Sequence, residues 1–204
     1  MAQTNSTLEI LKALRDETGL GVMECRKALD EAGQNYANAL DRLREIAAAK
    51  AKKRTDNEAI EGVIELYSHA SGRIGVMVEV NSETEFAASS DVFRKFVHEI
   101  ALQVASENPL YVGDADIPPT VLEEVGLEAA ARARTAGKPE PIIARIVEGA
   151  IEKYRNTHVL LRQNYIRDES LTVARLLDQV MGQIRENVVI RRFQRWVISS
   201  DTQE

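Results

Sequence analysis

Cysteine is almost absent from this chain: Cys25 is the only one in 204 residues. That excludes an intramolecular disulfide and a cysteine metal cluster, and it fits a reducing cytoplasm. Histidine is nearly as scarce. His69, His98 and His158 stand far apart in sequence, each reads as a surface or packing residue, and metal-ligand spacings are missing. There is no Gly-x-x-x-x-Gly-Lys-Ser/Thr loop to cradle phosphates, so neither nucleotide hydrolysis nor direct nucleotide binding is expected. No stretch approaches the roughly 18 consecutive apolar residues that a membrane span requires. The opening residues, Met1 to Thr7, carry no basic or apolar run, so neither a secretory signal nor an organellar transit peptide is expected. These absences argue against an enzyme. No catalytic residue, cofactor site or metal site is assigned, and a cytoplasmic protein acting by contact is expected.

What is present is ordinary globular material, 44% hydrophobic and 28% charged, long enough to bury a real core in one or two domains. The formal net charge of −6 does not recruit the chain to nucleic acid. One local exception is Lys50, Lys52, Lys53 and Arg54. This cluster is either a solvated helix end, where cations suit the C-terminal dipole, or a contact for RNA phosphates or an acidic partner.

Residues 6 to about 48 pattern as three short helices. Ser6 and Glu9 have capping-box spacing, and Leu8, Leu11 and Leu14 form an apolar stripe. Gly19 and Gly21 interrupt it; Val22, Met23, Ala28 and Leu29 belong to a second helix ending at Gly33. Asn35 can cap a third, with Tyr36, Leu40, Leu43 and Ile46 along one side. The bundle and its basic extension make a first domain, residues 1–54. Gly19 and Gly21 permit positive φ and close backbone approach to a partner. Met23 beside Val22 is either an adaptable interface residue or part of the core. Cys25 reads as a small buried hydrophobe.

A strand over Gly62–Tyr67, a glycine-containing loop at His69–Arg73 and a second strand from Ile74 predict an antiparallel hairpin. Ile74, Val76, Val78 and Val80 share one face, with Gly75, Met77 and Glu79 on the other. The alternation ends in Glu83-Thr84-Glu85-Phe86. A lone aromatic at a strand-to-helix turn has two readings: it folds onto its own core, or it projects as an anchor for a partner. Beyond it, Val92, Phe93, Phe96, Val97, Ile100 and Val104 predict a helix from Asp91 to about Glu107. Pro118-Pro119 begins another, containing Val121, Leu122, Val125 and Leu127. Ile142 to about Tyr154 forms the next, and a last helix, Val173–Arg185, leads into a closing strand, Val188–Ser199, in which Val189, Arg191, Phe193, Arg195 and Val197 alternate against Ile190, Gln194 and Trp196. The fold class is α+β, with further domains at 55–140 and 141–204.

Three separated blocks carry a resemblance. Leu14 to Leu29, with Thr18-Gly19-Leu20-Gly21-Val22-Met23-Glu24-Cys25 at its centre, resembles the first signature of the translation elongation factor Ts family. Val78 to Phe86 resembles its second, with Glu85 where the family usually has Asp, Ala87 where it often has Val, and Ser82 where many members have Cys. Gly137-Lys138-Pro139-Glu140, Ile146-Val147-Glu148-Gly149 and Leu160-Leu161-Arg162-Gln163, followed by Tyr165, Asp168 and Thr172-Val173, resemble a third. The blocks stand in the family's order and cover nearly the whole chain.

The resemblance implies a ubiquitin-associated-like N-terminal module and a guanine-nucleotide exchange factor for elongation factor Tu. In that family the acid–aromatic pair, here Glu85 and Phe86 after Thr84, is driven between two helices of the GTPase, and its Mg²⁺ site is disturbed. Gly19, Gly21, Val22 and Met23 would form the second contact. Shorter members dimerise, so a homodimer is implied for this length. The competing function is an RNA- or ribosome-associated protein using the lysine cluster, without exchange activity.

Overall fold

The computed structural model describes residues 2–198. Helices α1 (Ala2–Thr18), α2 (Val22–Glu31) and α3 (Tyr36–Lys52) form the expected N-terminal bundle. Its core is Leu11, Leu14, Leu20, Cys25, Ala28, Leu29, Ala39, Leu40, Leu43 and Ala47. Asn35 caps α3, its side-chain oxygen accepting from the Asn38 N–H at 3.1 Å, as the sequence predicts. Two expectations fail at the edges of the bundle. Helix α1 begins at Ala2, ahead of the predicted Ser6 start; the Ser6 side chain lies outside the described residues. Leu8 and Ile46, placed in apolar stripes by their spacing, are exposed; the stripe that packs starts at Leu11.

After α3 come the strands β1 (Glu61–His69) and β2 (Ile74–Ser82), helices α4 (Glu85–Ser89) and α5 (Asp91–Glu107), helices α6 (Pro119–Thr135) and α7 (Glu140–His158), the short strands β3 (Asn164–Tyr165) and β4 (Asp168–Thr172), helix α8 (Val173–Ile184), and β5 (Val188–Val197). The main sheet is antiparallel in the order β1-β2-β5, giving the α+β fold that the sequence predicts. Val76, Val78 and Val80 are buried on one face. Helix α5 contributes buried Phe93, Phe96, Val97 and Ile100 and meets that face where His98 pairs with Glu65 at 2.9 Å and sets its ring edge-on to Tyr67.

The closing strand departs from simple alternation. Glu79 pairs with Arg192 but Val80 with Ile190, leaving Arg191 as an extra residue in a β-bulge. The bulge reverses the inward phase: Val188 and Ile190 face the core before it, Phe193 and Arg195 after it. The predicted face of Val189, Arg191, Phe193, Arg195 and Val197 is therefore split. Arg191 uses its freedom to donate to the Asn81 side-chain oxygen at 3.2 Å and to the Ala59 carbonyl at 3.1 Å.

The described residues form two compact units: 2–102 with 174–198, and Gln103–Val173. In the second, α6 and α7 pack as a helical pair. Leu127, the large apolar residue near the middle of α6, is exposed. The seam is instead small: Gly126, Ala129, Ala130 and Ala133 are the buried residues of α6, and a Cβ at Gly126 would lie 3.4 Å from Val147 Cγ1. Small residues let the helix axes approach. Gln103, fully buried, anchors the loop after α7: its amide nitrogen donates to the Asn164 carbonyl at 3.0 Å and its oxygen accepts from the Ile166 N–H at 2.9 Å.

Candidate functional site

Two small regions in the first unit carry the residues singled out by sequence: the turn after β2, and the loop between α1 and α2.

At the turn, Thr84 takes an extended conformation and becomes the N-cap of α4. Its hydroxyl accepts from the Ala87 N–H at 3.2 Å, satisfying one of the free donors of a helix start. Ala87 and Ala88 are buried, and α4 contacts β1 and β2 through them. Phe86 precedes this pair and faces the other way: it is 87% exposed. The ring therefore does not fold onto its own core. Glu85 lies beside it, exposed, its side chain making no hydrogen bond or ion pair among the described residues.

The turn is held from below by residues whose role the sequence pattern hides. Glu186 spans Thr84 with both carboxylate oxygens, accepting from its N–H at 3.0 Å and from its hydroxyl at 2.8 Å. Glu83 accepts from the Asn187 N–H and from the Asn57 side-chain amide. Asn187, nearly buried, donates to the Asn57 carbonyl at 2.7 Å. Glu186 and Asn187 lie more than a hundred positions from the residues they hold, and no local periodicity marks them. Their one sequence cue is a polar pair wedged between the apolar runs of α8 and β5.

In the second region, Gly19 has φ +67°, and a Cβ there would stand 2.7 Å from the Gln183 backbone. Glycine is required on both counts. Gly21 is the N-cap of α2, and its N–H donates to Glu24. The Glu24 carboxyl also takes a hydrogen bond from Lys50, and that contact foremost, against the opposing effect of burial, holds its pKa below the ordinary value. Val22 is 47% exposed and Met23 75%, so Met23 is not a core residue. Cys25 is buried within the bundle, and burial pushes its thiol pKa up, which suppresses thiolate reactivity.

The basic cluster is partly consumed internally. Lys50 pairs with Glu24, and Arg54 donates to the Met181 carbonyl at 3.1 Å. Lys52 and Lys53 remain exposed at the helix end.

Comparison with known proteins agrees with the family that the sequence blocks resemble. Residues 31–199 match the family model described as Elongation factor TS. Among curated proteins, the chain is similar to Elongation factor Ts of Thermoanaerobacter sp. (strain X514), 46% identical over 92% of each chain. It is similar to that of Caldanaerobacter subterraneus subsp. tengcongensis, 46% identical over 92% of this chain and 94% of the relative. Elongation factor Ts of Syntrophobacter fumaroxidans is 42% identical over 96% and 98%. The chain belongs to the elongation factor Ts family.

Proposed function

We propose that the chain is a guanine-nucleotide exchange factor that binds elongation factor Tu carrying GDP and speeds GDP release in the cytoplasm. The observation that carries this reading is Phe86, a large apolar ring standing in solvent on a braced turn. Family membership and the names of the relatives support it. Burial of the ring between two helices of the GTPase contributes about 1.5–3 kcal/mol. That holds a displaced helix but is too little to expel GDP. The remainder comes from disturbing the GTPase's Mg²⁺ site, where phosphate charge loses its counter-ion. Glu85 supplies the acidic group beside the ring, and Thr84 sets the turn. By linkage, GDP rebinding weakens the factor in turn.

Gly19, Gly21, Val22 and Met23 form the second contact, raising the effective concentration of the wedge. The RNA-binding alternative has less support, since Lys50 and Arg54 already serve intramolecular partners.

A homodimer belongs to the same reading. The sheet's outer face presents Ile64, Leu66, Met77 and Trp196, all exposed, and Trp196 stands opposite Gly75 in the register. A second copy of the chain covering this face would remove that apolar area from water.

The deciding experiment is stopped-flow release of a fluorescent GDP analogue from elongation factor Tu. Wild-type chain accelerates release and Phe86→Ala does so far less; a mutant at wild-type rate refutes the wedge.

A further inference from the structure

From these contacts we infer that Met181–Asn187 is a brace joining the two contact regions, and that Glu186 is the positioning residue for Phe86; the functional half of this inference rests on the exchange-factor reading above.

Each residue of the segment that bonds outward holds one side of the assembly. Towards the N-terminal loop, Gly182 lies so close to α1 that a Cβ would stand 3.3 Å from the Thr18 carbonyl oxygen. Gln183 closes over Gly19 and its side-chain amide reaches the Asp16 carbonyl at 3.4 Å. Arg54 caps the Met181 carbonyl at 3.1 Å, and Arg185 stands near enough to Glu24, next to Met23, to help hold its carboxyl pKa low. Towards the Phe86 turn, Glu186 clamps Thr84 and the Asn187 N–H fixes Glu83. Between the two sets the chain reverses at Arg185, a non-glycine residue with φ +65°. Such a conformation persists only where surrounding contacts over-determine it.

The Thr84 hydroxyl has one donor and is committed. It donates to Glu186 and accepts from Ala87, so the carboxylate orients the cap that starts α4. Phe86 lies two residues beyond that cap. The loop with Met23 and the turn with Phe86 are thus presented by one rigid segment, and order is already present before a partner arrives.

Glu186→Ala tests the brace in two ways. Amide hydrogen exchange on the isolated full chain needs no GTPase: exchange at Thr84 and Ala87 should accelerate about tenfold or more, while Val76, Val78 and Val80 stay protected. Unchanged exchange at Thr84 and Ala87, or loss of protection throughout the sheet, would overturn the local brace. GDP release from elongation factor Tu gives the functional readout. The maximal rate should fall about tenfold, the scale of a lost charge-assisted hydrogen-bond pair, with the half-saturating concentration moving less than about twofold. In a Phe86→Ala background, Glu186→Ala should add almost nothing; an equal loss in both backgrounds would overturn the positioning role. If Phe86→Ala itself releases GDP at the wild-type rate, the wedge fails, while amide exchange still decides the brace.

Discussion

Thr84 and Glu186 are 102 positions apart in the chain, yet the carboxylate of one takes both the backbone and the hydroxyl proton of the other. The turn bearing Phe86 is therefore a tertiary feature rather than a property of the hairpin alone. A ring this exposed contributes little to folding, so the role proposed for Phe86 can be tested apart from stability.

Phe86→Ala should leave the thermal midpoint within about 2 °C of wild type, because surface changes away from the core stay within about 0.5 kcal/mol. GDP release by elongation factor Tu should slow by about 10- to 100-fold, the range that loss of a buried Phe contact implies. Calorimetry and stopped-flow fluorescence on the same preparations check the separation.

Two glycines with similar φ differ in surroundings. Gly19 and Gly33 have φ +67° and +62°, but a Cβ at Gly33 meets nothing within 4 Å. Gly33→Ala should cost about 1 kcal/mol, from left-handed strain alone. Gly19→Ala must also push apart the α1 end and Gln183, and should cost at least about twice as much. Urea denaturation distinguishes them; equal losses would mean that the close approach at Gly19 is not maintained in solution.

Two carboxyls respond to pH with opposite sign. Burial raises the Asp178 pKa above its ordinary 3.8, so ionising it opposes folding. Its cost is absent at low pH and grows as pH rises from the ordinary value through the folded-state value. Asp178→Asn should therefore raise the midpoint at pH 7 by about 1–2 °C, and the gain should vanish below about pH 4. Glu24 is the reverse. Chiefly through Lys50 its pKa lies below 4.5, so its contribution is present above that value and is lost as pH falls through the folded-state value. Glu24→Gln should lower the midpoint at pH 7 by about 1–2 °C, the modest effect of a half-exposed pair. That deficit should shrink in acid. Thermal melts from pH 3 to 7 check both.

Leu66→Glu places a charge in the middle of the outer sheet face beside Met77, its partner in the register. If a second copy covers this face, wild-type chain sediments as a dimer and the variant as a monomer. Monomeric wild type at concentrations of tens of micromolar, an order set by weak interfaces, would remove the homodimer from the reading.

Much of this architecture was legible in the residues. The alternation Ile74 to Val80 predicted which side of β2 is buried, and the aromatic spacing in α5 predicted Phe93 and Phe96 as core, because both signals are local and strong. The Phe86 and Met23 positions were singled out with their environments open, since spacing cannot say whether a residue at an element's tip turns in or out. The start of α6 at Pro118-Pro119 is legible, but its packing seam of alanines and a glycine is not, because small residues carry little hydrophobic signal. Glu186 and Asn187 were not foreseen at all: a hydrogen bond that closes a loop of about a hundred residues leaves no periodic trace.

The extra residue at Arg191 decides which aromatic the sheet shows to water. Were the same residues paired one to one with β2, with no bulge, even-numbered positions would continue inward past Ile190, carrying Trp196 into the interior and turning Phe193 out. Deleting Arg191 would straighten the strand yet leave Arg192 opposite Glu79 and Trp196 outside, whereas flattening the bulge with every residue kept would swap indole for phenyl at the exposed face. The polarity of that whole surface is thus set by a one-residue offset in pairing, and would be lost to a slip in register that changed no side chain's chemistry.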